Sequence, residues 1–209
     1  MNKKYIPDDD LARTDRALNA IKSKYRIVST GKKSIKDFIS YSSNSDSKVL
    51  KTWKISKTNN SFILYLISYT HYFQHIDYTK GNTGQMASET SKYFFGYLEI
   101  NKDYGNTLIR PETLKDKVLE LLNPIEIDIK EYKKFSRKYY MTSDNKDLLL
   151  RTIDENLVKY FETINNLTIE FSHDKCLFRL PKSVNVKEAL MLCEIGLNLD
   201  SILNNEMTK

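Results

Sequence analysis

No apolar run in this sequence approaches the ~18 residues that a membrane-spanning helix needs, and the mean hydropathy is −0.52. Met1-Asn-Lys-Lys4 is followed by Tyr5-Ile-Pro-Asp-Asp-Asp10 without an apolar core, so no signal peptide is expected and the chain reads as cytoplasmic. Two cysteines, Cys176 and Cys193, lack metal-ligand spacing and sit in apolar rows, which reads as buried thiols in a reducing compartment. The phosphate-loop pattern and the three-glycine dinucleotide fingerprint are both missing, and Gly81-Asn-Thr-Gly84 reads as a loop. There is no G-x-S-x-G nucleophile elbow. No repeat, low-complexity tract or clear linker breaks the chain.

What is present suits a folded core. Of 209 residues, 40% are apolar and 11% aromatic, and the 33 Lys and Arg exceed the 27 Asp and Glu by a formal charge of +6. Such a balance suits a polyanion only where the charge is concentrated. A chain rich in Lys, Asn, Ile and Tyr also carries this charge through A/T-rich codons alone.

The best-patterned stretch runs from Glu131 to Leu180. Phe135, Tyr139 and Met141 alternate with polar residues and predict a strand, in which Arg137 marks an edge or a bulge. Thr142 to Asn145 offers helix caps. Leu149, Ile153, Leu157, Phe161 and Ile164 then trace one buried helical face, and Thr152-Ile-Asp-Glu155 has the spacing of a helix restart. Leu167, Ile169 and Phe171, then Cys176, Phe178 and Leu180, predict a β-hairpin closed at Ser172-His-Asp-Lys175, with its polar residues outward.

Motif by motif, this stretch resembles the C-terminal half of an uncharacterised bacterial domain family of the DUF3137 type. Members show F-x-(R/K)-x-(F/Y)-x-V-x-(S/A)-x-D, a Leu-rich helix, a hairpin strand of the form I-x-(F/I)-x-x-x-x-L and a final helix. Here Phe135, Arg137 or Lys138, Tyr139, Met141, Ser143 and Asp144 carry the first motif, and Ile169, Phe171 and Leu177 to Phe178 carry the hairpin. The resemblance covers residues 131–180 best and 50–203 loosely. It implies no catalytic residues, because the family has no assigned activity, and many members carry transmembrane helices that this chain lacks.

Elsewhere the pattern predicts a first helix from Asp8 to about residue 25 and a loop from Ser29 to Ser47 around Ile35, Phe38 and Ile39. Val49–Ile55 and Phe62–Phe73 follow as paired strands. Tyr78 to Ser91 reads as a mobile loop. Strands are expected at Tyr93–Ile100 and Leu108–Arg110, and helices at Thr113–Leu122 and Val186–Leu203. The fold class is α+β, an antiparallel sheet with packed helices. Residues 1–209 form a single domain, or two packed halves at about 26–110 (β-rich) and 111–205 (strand, helix, hairpin, helix).

Three constellations carry candidate chemistry. His71 and His75 lie at i and i+4, with Asp77 adjacent and His173 as a third partner, a set that zinc accepts on a shared face. No glutamate base follows His71, so half-buried histidines without metal are expected. His173 and Cys176 are three apart on a hairpin, which puts them on opposite faces and argues against a dyad. Lys133, Lys134, Arg137 and Lys138 interleave with Tyr132, Phe135, Tyr139 and Tyr140, as in single-strand binding by phosphate neutralisation and base stacking. The competing reading is a solvated strand edge guarded by lysines, with Glu126, Asp128 and Glu131 diluting the field.

The expectation is therefore a non-catalytic binding module without cofactor, engaging a protein partner. A basic nucleic-acid-binding protein is the alternative, and an enzyme with an unrecognised site the third reading. A concentrated basic face would favour nucleic acid, a deep pocket with convergent polar groups an enzyme, and an exposed aromatic patch a protein partner.

Overall fold

The computed structural model describes residues 8–42, 46–77, 83–113, 127, 129 and 131–204. Six helices among them pack on one eight-stranded sheet. In chain order these are α1 (Asp8–Lys22), β1 (Arg26–Ser29), α2 (Ile39–Ser42), β2 (Ser47–Lys57), β3 (Asn60–Asp77), β4 (Thr83–Glu99) and β5 (Asn106–Pro111). Then come α3 (Lys133–Ser136), β6 (Tyr139–Ser143), α4 (Lys146–Thr152), α5 (Glu155–Thr163), β7 (Thr168–Ser172), β8 (Lys175–Arg179) and α6 (Val186–Asn204). The strand order is β1-β2-β3-β4-β8-β7-β5-β6, and every neighbouring pair is antiparallel. This is the α+β architecture that the sequence pattern predicts. The expected dividing point near 106–111 falls in β5, which lies between β7 and β6 and so joins the two halves in one sheet.

Side chains of β3 and β4 alternate between the two sheet faces, and both faces are buried. On the first face Ile55, Phe62, Leu64, Leu66, Phe94 and Leu98 join Ile169, Phe171, Cys176 and Phe178 in the main core, beneath α1, α5 and α6. On the second face Tyr65, Ile67, Tyr69, Phe95, Tyr97 and Leu177 form a smaller core closed by Ile35 and Phe38. A strand apolar on both sides loses its period-two signature, which is why Phe62–Phe73 reads as one β-prone run.

The packing of α6 is close where glycine allows it. A Cβ on Gly96 of β4 would stand 2.0 Å from Phe178 Cζ, and one on Gly196 of α6 2.7 Å from Phe62 Cδ1. The Phe62 and Phe178 rings, 5.7 Å apart between centroids, fill the space that the two missing side chains leave.

Several local expectations change. Phe135–Met141 is not one strand: Lys133–Ser136 makes a single helical turn, and β6 starts at Tyr139. Phe135 still points into the main core, because a helical turn also brings Phe135 and Tyr139 to one side; their rings stack at 5.6 Å. The long helix divides at the expected place, but the cap is Asp154, whose side chain accepts the Leu157 N–H at 2.9 Å. Thr152 instead donates to the Leu148 carbonyl. The hairpin forms as expected, but the polar Glu170 does not face solvent: it is buried on the second face, where Leu177 is buried too. Most of the stretch expected as a mobile loop is strand, Thr83–Ser91 belonging to β4, with residues 78–82 outside the described residues. The helix expected at Thr113–Leu122 lies, beyond Thr113, outside them as well. The short strand β1 was not foreseen.

Candidate functional site

The β3–β4 pair outruns its neighbours. β2 stops opposite Tyr69, and β8 stops opposite Phe95. From Thr70↔Thr90 to Asp77↔Thr83 the two strands pair, among the described residues, only with each other, over roughly 25 Å at ~3.4 Å per residue. Among the described residues, this ribbon leaves backbone edges of both strands without a strand neighbour. Tyr72 is 60% exposed on it, with His71, Ser88, Glu89 and Thr90 also exposed. Its base is rigid. The Tyr69 ring packs on Tyr93 at 5.6 Å and on Phe95 at 5.9 Å, and its hydroxyl donates to the Ser40 carbonyl at 3.0 Å. The Thr70 and Thr90 hydroxyls bridge the strands at 3.1 Å.

His71 and His75 both lie on this ribbon. Four residues along an extended strand separate their Cα atoms by about 13 Å, too far for one ion with bonds of about 2 Å. Sharing a face suffices on a helix, where the rise is 1.5 Å per residue, but not here. His173 sits at the other end of β4, near Glu99, where its Nδ1 stands 3.2 Å from Asp103 Oδ1. No group of three or more His, Cys, Asp and Glu that could hold a metal occurs among the described residues. Cys176 is wholly buried while His173 is exposed, so the two do not meet.

The basic cluster is reorganised by the helical turn. Lys133, Lys134 and Arg137 are exposed around α3, rather than alternating between strand faces. Lys138 is taken up by the fold: its Nζ donates to the Glu162 carbonyl at 2.8 Å and the Phe161 carbonyl at 3.4 Å. Tyr139 adds its hydroxyl to the Ile164 carbonyl at 2.7 Å. Both therefore satisfy carbonyls at the end of α5, where a cation also complements the helix dipole. Desolvation lowers the Lys138 ammonium pKa below its ordinary value.

A cavity of about 480 Å³ opens on the second face, between Asp37 and Ile39 on one side and Asn106, Leu108, Thr142, Asp144 and Glu170 on the other. Its carboxylates are occupied by neighbours. Asp144 accepts the Asn106 backbone N–H at 2.9 Å and its side-chain amide at 2.7 Å, which holds its carboxyl pKa below the usual range. Gly105 beside it has φ +61°, and a Cβ there would stand 2.8 Å from Asp144 Oδ1. Asp37 faces Lys175 at 3.4 Å. Glu170, 5% exposed, accepts the Ile39 and Ser40 amides and the Ser40 hydroxyl, clamping α2 onto the sheet. These contacts give each carboxylate a structural task, and none of them touches an imidazole or a thiol.

Sequence reasoning missed the ribbon and the clamp. Glu170 looks like any outward strand residue, and the ribbon's polar half, Thr83–Ser91, carries loop-forming residues. No helix among the described residues is long and apolar enough to cross a membrane. Comparison of the chain with family models, with curated proteins and with solved structures finds no match.

Proposed function

We propose that the chain is a non-catalytic binding module whose β3–β4 ribbon contacts a protein partner. The observation that carries this is the run of pairs from Thr70↔Thr90 to Asp77↔Thr83, which no other strand supports among the described residues. A two-stranded ribbon alone is marginally stable in water, and its free edges are templates for another chain. Addition of a partner strand, with Tyr72 as an aromatic anchor, relieves both. The acidic cavity supports the same reading, because its carboxylates hold the fold rather than a substrate. Both cysteines are free thiols, in keeping with a cytoplasmic setting.

The test is a shortened ribbon in which Thr70–Thr90 is replaced by a two-residue turn joining Tyr69 to Ser91. Affinity capture from the source cells, with both forms as bait, should recover a partner with the full chain and lose it with the shortened one. Equal capture by both would refute the reading.

A nucleic-acid reading draws on Lys133, Lys134 and Arg137, exposed together around one turn. It requires single-strand affinity to fall with salt at a slope near 2, about 0.7 for each of three contacts.

A further inference from the structure

The sheet guards its edges unequally. Its outer strands are short, β1 with four residues and β6 with five. Beside β6 the Ile127 N–H donates to the Met141 carbonyl at 2.9 Å. Short or covered edges keep a sheet from pairing with another chain, and lysine, proline or a bulge does the same. Among the described residues the ribbon has none of these guards. Neither Thr70–Asp77 nor Thr83–Thr90 contains Lys, Arg or Pro, in a chain with 33 Lys and Arg. The register between them runs from Thr70↔Thr90 to Asp77↔Thr83 without a shift.

The two edges differ in composition. The β4 segment includes Gly84, Ala87 and Ser88, which suit strands poorly, whereas β3 offers Thr70, Tyr72, Phe73 and Ile76. The β3 edge opens where β2 ends, opposite Tyr69, and His71 and Tyr72 just beyond are exposed.

This edge is complementary to itself. Residues directly opposite in an antiparallel pair lie on the same sheet face, and successive residues alternate faces. A two-fold axis between two copies must therefore pass through a residue. With the axis at Gln74, His71 stands opposite Asp77 of the second copy, Tyr72 opposite Ile76 and Phe73 opposite His75. An imidazole then meets a carboxylate, and an aromatic residue meets a β-branched one, both favourable cross-strand pairs. With the axis at Phe73, Asp77 of the second copy would stand opposite Tyr69, where Ser47 of β2 already pairs. That register is blocked.

We propose that the ribbon's partner is a second copy of this chain, joined β3 to β3 in antiparallel register about Gln74. The inference rests on the ribbon reading above and names its occupant. Pairing turns two ribbons into one four-stranded sheet, and a third strand is what an isolated two-stranded ribbon lacks.

The test is the mass of the intact chain by sedimentation equilibrium, with charge placed on the axis. The full chain should reach twice the 24.5 kDa of one chain as concentration rises. Gln74→Lys and Gln74→Glu each set like charges opposite one another, and each should raise the dimer dissociation constant roughly fivefold. Mixed in equal amounts, the two variants should recover the dimer, which also shows that both are folded. A full chain that stays monomeric at every concentration, or a dimer that neither substitution weakens, would overturn the proposal. Capture of a different protein by a monomeric full chain, lost on shortening the ribbon, would overturn the second copy and leave the ribbon reading standing. A dimer that persists in the shortened chain would overturn the β3 pairing.

Discussion

Replacing Glu170 by Gln should detach the segment that closes the second face. Its two carboxylate oxygens serve different amides, Oε1 that of Ile39 and Oε2 that of Ser40, and Oε2 also accepts the Ser40 hydroxyl. A glutamine keeps one acceptor and turns the other into a donor, so one backbone N–H must face an NH₂ group. A hydrogen bond to a charged group contributes about 1.5–3 kcal/mol, and a buried donor left unpaired costs about 1–3 kcal/mol. Because both describe the same broken contact, they are not summed, and the expected loss is about 1.5–3 kcal/mol. Phe38, wholly buried with its ring edge-on to Tyr97 at 6.3 Å, should loosen with the clamp. Two measurements separate local from global effects. Urea denaturation followed by Trp53, which packs against the main core beside Phe94, reads global stability. Amide hydrogen exchange at residues 38–42 reads the clamp. A stability change under ~1 kcal/mol with unchanged exchange at 38–42 would refute the clamp.

Three further outcomes follow from the same geometry. Gly96→Ala should destabilise by about 3 kcal/mol or more, since its Cβ would sit 2.0 Å from Phe178 Cζ and overpacking forces shifts in a closed core; Phe178→Leu in the same chain should recover part of the loss in melting temperature. Asp154→Ala, which removes the acceptor of the Leu157 N–H at 2.9 Å, should cost about 1 kcal/mol, whereas Lys134→Ala on the exposed turn should change stability by less than about 0.5 kcal/mol. Burial raises the Cys193 thiol from 9.0 to about 12 and the Tyr65 and Tyr139 phenols from 10.0 to about 12. The folded state then holds these protons more tightly than the unfolded chain, so stability should be complete below pH 9 and fall progressively between pH 9 and pH 12; denaturation midpoints that stay flat across that window would contradict it.

The readable parts of the sequence were those with a clear apolar period. Leu157 and Phe161 mark the buried side of α5, and the Ile169–Phe171 and Cys176–Phe178 rows mark the side of the hairpin that faces the main core; these elements form where the pattern places them. The Phe135–Met141 stretch failed because Phe135 and Tyr139 are four apart. That spacing satisfies a strand of period two and a helical turn alike, and only the backbone distinguishes them. The ribbon failed for another reason: Thr83–Ser91 carries small and polar residues, the composition of a loop, although it pairs as a strand with β3. Glu170 was illegible because its role depends on partners far along the chain. Glu170 is bonded to Ile39 and Ser40 across some 130 positions. The basic cluster was legible as charge, but Lys138 proved to be engaged at the end of α5.

The ribbon as the contacting element is tested most directly by site-specific photo-crosslinking in the source cells. A benzophenone side chain is placed singly at Tyr72 or Thr90 on the ribbon and, as controls, at Leu11 of α1 or Val28 of β1, all exposed. Discrete adducts of one mass are predicted from Tyr72 and Thr90 and from neither control. Adducts confined to Leu11 or Val28, or none from the ribbon under conditions where a control reacts, would contradict the account.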